Sequence, residues 1–303
     1  SAASDVYKRQ VAAFKPSQLV LIDQAETPLH DIRLMMMRKF SDIPALTLTA
    51  SIGHKLHMET VFKKYNPDYV FHAAAYKHVP MMEDNPGEAV INNIEGTRII
   101  ADLAVKYGVQ KFVMVSTDKA VNPTNVMGCS KRICEMYCQS LNKAIVDGKV
   151  KGCTQFVTTR FGNVLGSNGS VIPIFKEQIK NGGPITVTHP DIIRYFMLIP
   201  EACRLVLQAG SMGNGGEIFV FDMGKPVKIA DLATRMILLS GAQDVQIKYT
   251  GLRDGEKLYE ELLNQEESTK LSLHPKIKLA TVRELGYEEV STQISKLVEI
   301  TKY

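Results

Sequence analysis

Residues 112–131 read Phe112-Val-Met-Val-Ser-Thr-Asp-Lys-Ala-Val-Asn-Pro-Thr-Asn-Val-Met-Gly-Cys-Ser-Lys131. The first four form a short apolar run, the pattern of a parallel strand buried on both faces. Ser116, Thr117, Asp118 and Lys119 follow at its carboxyl end. In an open α/β sheet, ligands bind outside the carboxyl ends of the strands. A hydroxyl, a carboxylate and an amine in consecutive positions there can run proton transfers on one small substrate. The same residues can also merely cap the next helix. Taken alone, the stretch supports both readings equally.

Working outward, apolar strand patterns alternate with helical ones. Upstream lie strands at 18–23, within 42–50 and at 68–75, a helix at 57–65, a loop at 80–86 and a long helix at 89–107 carrying Asn92, Asn93 and Thr97. Downstream come a helix at 127–143, a strand at 154–160 and a loop of glycine, asparagine and serine at 161–170. The alternation predicts an α/β fold with a doubly wound parallel sheet. Beyond residue 170 the pattern loosens into helices at 171–181, 201–210 and 229–239 and short strands at 185–188, 217–222 and 245–249. The charged turn Arg253-Asp-Gly-Glu-Lys257 precedes one more expected helix.

Composition excludes several classes. A formal charge of +4 over 303 residues, with no dense basic run, argues against nucleic acid. The five cysteines, at 129, 134, 138, 153 and 203, lack zinc spacing, so no metal is expected. Their odd number and the absence of a signal peptide favour a reducing, cytoplasmic setting. No apolar run reaches membrane-spanning length.

Asp23 ends its strand where dinucleotide-binding units place an acid on the adenosine ribose. No glycine-rich turn precedes it, so capping is its simpler role. Three alanines after the strand at 68–75 would let a flat ligand approach the backbone, or would serve tight packing.

Five segments together carry a family resemblance. They are His72-Ala-Ala-Ala-Tyr-Lys77-His-Val-Pro80, Ser116-Thr-Asp-Lys-Ala120, Arg160-Phe-Gly-Asn163, Arg194-Tyr-Phe-Met197 and Gly251-Leu-Arg-Asp-Gly-Glu-Lys257. They resemble the extended short-chain dehydrogenase/reductase superfamily, and within it the nucleotide-sugar 4,6-dehydratases of polysaccharide biosynthesis (the CapD-like group). The resemblance runs from about residue 11 to 265. It implies a Rossmann-like NAD-binding domain at 11–170 and a smaller substrate lobe at 171–303, with some segments returning to the main sheet. Two departures stand out. The tyrosine of the superfamily's Tyr-x-x-x-Lys is Met127, which cannot carry a proton, while Lys131 remains. The first strand and its glycine-rich phosphate turn are not found, so residues 1–10 read as a foreign leader on a truncated chain.

The resemblance further implies NAD-dependent dehydration of a UDP-sugar, UDP-N-acetylglucosamine foremost, to its 4-keto-6-deoxy form. Asp118 would be the acid at the C6 hydroxyl, Lys119 the base at C5, and Thr117 would bond the C4 oxygen. Lys131 would hold the nicotinamide ribose, Asp23 the adenosine ribose, and Ala73, Ala74, Asn93 and Ser116 would line the cofactor cleft. Lys77, Asn163, Arg194, Arg253 and Glu256 would meet the substrate, with Arg194 or Arg253 on the diphosphate. A homo-oligomer and a membrane-attached full-length parent are also implied. Two alternatives are a nucleotide-sugar 4-epimerase, which the missing tyrosine disfavours, and an inactive binding protein.

Overall fold

The computed structural model describes residues 10–167, 169–263, 267–282 and 284–301. Its organising strand is β4 (Lys111–Val115), in which Phe112, Val113 and Met114 are all fully buried. Phe112 and Met114 pack on one side with the helices Gly96–Lys106 and Val126–Val146, whereas Val113 packs on the other with the helix Ile199–Met212. Cover on both faces is why this strand reads as a continuous apolar run rather than an alternating one.

Parallel partners flank it: β3 (Tyr69–His72) on one side and β5 (Gln155–Arg160) on the other. β6 (Ile218–Phe221) extends the sheet in parallel beyond β5. The hairpin β7 (Ser268–Leu271) and β8 (Ile277–Thr281) closes it antiparallel, giving the order β7-β8-β6-β5-β4-β3. β1 (Leu19–Asp23) and β2 (Ala45–Thr49) form a separate parallel pair. The doubly wound order places a strand between β1 and β3, and among the described residues none lies there. The α/β, doubly wound expectation is met, with the sheet divided at the point where the lead strand was missed.

The structure differs from the expected elements in three places. The expected loop at 80–86 contains a short helix, Val79–Asp84, with Pro80 in its first turn, where proline's missing N–H costs nothing. The long helix at 89–107 is a π-helical turn, Ala89–Glu95, continued by α-helix. No helix follows Lys257 among the described residues to 263; the chain runs irregularly and later enters the β7–β8 hairpin. All four β7 residues are exposed, so this edge strand lacks the apolar alternation that would announce it. The C-terminal helix Tyr287–Ile300 then covers the helices 89–106 and 126–146, burying Val290, Ile294 and Val298.

Candidate active site

At the end of β4 the Ser116 amide still donates to the Thr159 carbonyl, at 2.7 Å, and the Asp118 amide to that of Phe161, at 3.1 Å. The chain therefore stays in register with β5 while it leaves the sheet. Thr117 caps a single 3-10 turn, Asp118–Ala120, accepting from the Lys119 amide at 3.4 Å. The long helix Val126–Val146 is capped instead by Asn125, which accepts from the Gly128 amide at 2.7 Å. Capping thus leaves the Asp118 and Lys119 side chains free for other work. Gly128 makes the approach possible: a Cβ there would lie 2.2 Å from the Lys119 carbonyl oxygen.

Asp118 is fully buried. Its Oδ1 accepts from the Thr117 hydroxyl at 2.9 Å and from Lys119 Nζ at 3.0 Å. Its Oδ2 is buried with no hydrogen-bond partner, facing Gly162, where a Cβ would come within 2.9 Å of it. Lys119 Nζ also lies 3.3 Å from Asn163 Oδ1 and 3.5 Å from Glu260 Oε1. Burial opposes the lysine's charge, but Asp118 and Glu260 outweigh it and raise its pKa above the usual value. Sequence reasoning missed Glu260, since no local signal separates it from Glu261 beside it.

Arg194 is buried behind this group. Its Nη1 donates to the carbonyls of Ile193 (2.8 Å) and Leu258 (3.2 Å), and its Nη2 to that of Lys257 (2.7 Å). Glu256 stands 3.5 Å from the same guanidinium, accepts from the Thr188 hydroxyl at 3.2 Å and from the Arg253 amide at 3.2 Å. Arg194 and Glu256 are therefore occupied in holding the 253–260 stretch against the site. Arg253 is exposed, and of the two arginines it is the one free to meet an anion. Lys77 is likewise exposed.

The expected cofactor residues divide. Lys131 is buried at 5% exposure, and no hydrogen bond holds its amine among the described residues. Burial lowers its pKa, with Cys134 and Glu135 pulling the other way. Burial pushes nearby His72 down to about 3, so its ring is neutral. Ser116 Oγ is buried beside the Glu135 carboxylate, and Ala73 and Ala74 are exposed just past β3. A buried amine, a buried hydroxyl and an open wall of methyl groups fit a ribose-bearing cofactor. Asn93 does not: it is fully buried, its Oδ1 accepts from Tyr76 N and Asn92 Nδ2, and its Nδ2 donates to Tyr76 O and Ser130 Oγ. It pins the backbone behind the alanines and cannot line the cleft. Asp23 ends β1 in the separate sheet, and its Oδ1 caps the turn by accepting from the Ala25 amide at 3.0 Å. Met127 is buried among Tyr76, Val79, Met82, Ala89 and Val126.

Known proteins are similar to this chain over nearly its whole length. A family model described as polysaccharide biosynthesis protein matches residues 3–282. The capsular polysaccharide biosynthesis protein CapD of Staphylococcus aureus is 50% identical over 293 residues, 96% of this chain. The chain spans 48% of that relative's own length. The X-ray structure of Pen from Bacillus thuringiensis superposes with a TM-score of 0.81 at 30% identity, covering 96% of this chain and 93% of that one. A double mutant of the dTDP-glucose 4,6-dehydratase DesIV of Streptomyces venezuelae, with NAD bound, shares the fold at a TM-score of 0.75 and 17% identity, over 86% of this chain and 84% of that one. Among the described residues no helix is long and apolar enough to cross a membrane. With a matched span this long and a relative this similar, the chain belongs to the polysaccharide biosynthesis protein family, on the doubly wound fold of the extended short-chain dehydrogenase/reductases.

Proposed function

We propose that the chain carries a nucleotide-sugar 4,6-dehydratase, converting a UDP-N-acetylhexosamine, UDP-N-acetylglucosamine foremost, to its 4-keto-6-deoxy product. The observation that carries this reading is the hydrogen-bonded series Thr117–Asp118–Lys119 at the carboxyl end of β4. A bound NAD would supply the hydride acceptor at C4 and the donor at C6, with no net consumption. Lys131 and Ser116 would hold its nicotinamide ribose end, beside Ala73 and Ala74, and Asp23 its adenosine ribose.

The protons can then be followed through this chain's own groups. Thr117 receives the O4 proton while passing its own to Asp118 Oδ1, 2.9 Å away. Asp118, now an acid, protonates the C6 hydroxyl, which departs as water. Lys119, as the free amine, takes the C5 proton made acidic by the C4 ketone and returns it to C5 afterwards. Every proton is accounted for, and water leaves with the proton that began on O4. Asn163 fixes the lysine's direction, Arg253 meets the diphosphate, and Lys77, also exposed, meets the substrate. Met127 sits where an epimerase would need a phenol, and its apolar packing weighs against that chemistry.

The direct test is incubation with UDP-N-acetylglucosamine and NAD in deuterated water. The expected product is lighter than substrate by one water and carries deuterium at C5. A product of unchanged mass with C4 inverted would instead establish an epimerase.

A further inference from the structure

Between turnovers the site holds Lys119 as an ammonium, yet the proposed reaction needs it as an amine. Asp118 cannot take the surplus proton, because in the same cycle it must accept the one from O4. A second acceptor is required, and one is present.

Glu260 lies in the irregular stretch after the 253–257 turn. That stretch is fastened on several sides. Thr124 Oγ1 and Asn125 Nδ2 donate to the Gly255 carbonyl at 2.9 and 3.1 Å, and Lys257 Nζ donates to that of Val121 at 2.8 Å. The Ile193 amide donates to the Leu258 carbonyl at 3.1 Å. Gly255 is required at φ +72°, where a Cβ would also meet Asn125 at 2.7 Å. The fastening turns Glu260 inward and Glu261 outward, with side-chain exposures of 4% and 48%. Glu260 Oε1 lies 3.5 Å from Lys119 Nζ and 3.9 Å from Arg194 Nε, and Oε2 is buried with no hydrogen-bond partner. The charged groups around Lys119 are thus Asp118 on its own turn, Glu260 from the 253–260 stretch and Arg194 behind it, with Glu256 beyond Arg194 and neutral Asn163 alongside. Within this group Asp118 Oδ1 is engaged by two donors at 2.9 and 3.0 Å, whereas the nearest cation to Glu260 Oε1 is Lys119 itself, at 3.5 Å.

Resting on the dehydratase reading, we propose that Glu260 is a positioning residue that receives the proton Lys119 must shed before it can act as a base. One N–H bond of the Lys119 ammonium breaks and one O–H bond forms on Glu260, converting an ion pair to a neutral pair with no change in net charge. Substrate covering the site drives the transfer, because excluding water disfavours the charged forms of both partners. After C5 is reprotonated the transfer reverses when product leaves.

Glu260→Gln keeps the side chain's size and deletes the acceptor, and Glu260→Asp keeps the acceptor. The readout is deuterium entry at C5 of UDP-N-acetylglucosamine, with NAD present, across about pH 6–9. The unsubstituted protein should be nearly flat over that range. Glu260→Gln should lose about 10²–10⁴-fold near neutrality and regain roughly tenfold per pH unit, as Lys119 loses its proton to solvent instead. Glu260→Asp should recover most of the rate. Unchanged exchange, or a loss equal at every pH, would overturn the proposal.

A second readout needs neither substrate nor cofactor. Nitrogen-15 resonances of lysine amines should show Lys119 titrating lower in Glu260→Gln; an unmoved titration also overturns the proposal. If the unsubstituted protein exchanges nothing and forms no keto sugar, the dehydratase reading fails, and with it the catalytic use of Glu260, while the titration still reports whether the two residues are coupled.

Discussion

Asp118 and Lys119 are adjacent in the chain and 3.0 Å apart at their side-chain ends, but the chemistry asks different things of them. The C5 proton becomes acidic only once C4 is oxidised, so Lys119 should act after that step, whereas Asp118 takes up the O4 proton during it and delivers a proton at C6 afterwards. Lys119→Met keeps much of the stem and deletes the amine. It should accumulate the 4-keto sugar and fail to exchange C5 hydrogen with deuterated water. Asp118→Asn keeps the shape and deletes the proton acceptor and acid, so it should slow C4 oxidation and leave the C6–O bond intact. Losses of about 10²–10⁴-fold in turnover are expected for each, the usual contribution of one acid–base group. A Lys119→Met protein that exchanges C5 hydrogen at the unsubstituted rate would leave this turn with only its capping role.

At the level of elements, the site depends on how the helix Val126–Val146 is locked to β5. Arg160 closes β5 and is fully buried; its Nε and Nη2 donate to the two oxygens of Glu135 at 2.8 and 2.7 Å. Its Nη1 and Nη2 donate to Glu267, just before β7, at 2.7 and 3.1 Å. One guanidinium therefore ties the helix, the parallel sheet and the hairpin together, one helical turn beyond Lys131. Removing a member of such a group leaves buried charge unpaired, so Arg160→Met should cost about 3–5 kcal/mol. Arg132, the outer cation at 23% side-chain exposure, also reaches Glu135 and Glu267, at 3.0 and 3.5 Å. Arg132→Met should cost less than about 1 kcal/mol. Urea melts of the two variants check the ranking, and equal losses would show that the network does not lock the helix.

For the whole molecule, the division of the sheet is the dominant feature. β1 and β3 each pair on one side only among the described residues. Only Leu21 in β1 is buried, against Phe112, Val113 and Met114 in β4. The layer formed by β1, β2 and the helix Glu26–Lys39 has its own small core of Leu21, Leu29, Ile32 and Met36. Unpaired edges and a small core make it the first unit to open. Hydrogen exchange should show amides of β1 and β2 exchanging well before those of β4 and β5, with the outer edge of β3 intermediate. A single cooperative transition with uniform protection across all five strands would contradict this.

Much of this was legible in the chain itself. The apolar run 112–115, the helix expected at 127–143 and found at 126–146, and the parallel alternation follow from local pattern, because burial on both faces and helical periodicity are written in neighbouring residues. The position of Asp118 and Lys119 at the carboxyl end of a parallel strand was legible from pattern, whereas the roles proposed for them came from the family resemblance. The hairpin β7–β8 was not, since an exposed edge strand needs no apolar alternation. Glu260 and Asn93 were decided only by tertiary structure. A glutamate in an irregular stretch has no periodicity to give its direction, and only the fastening of Gly255, Lys257 and Leu258 to distant segments turns it toward Lys119. An asparagine on a helix can face a cleft or clamp a backbone, and here the 2.7 Å bond to Tyr76 N selects the clamp. Pattern along the chain determined which elements form; which polar side chains share one buried space was decided by long-range contacts that no local stretch encodes.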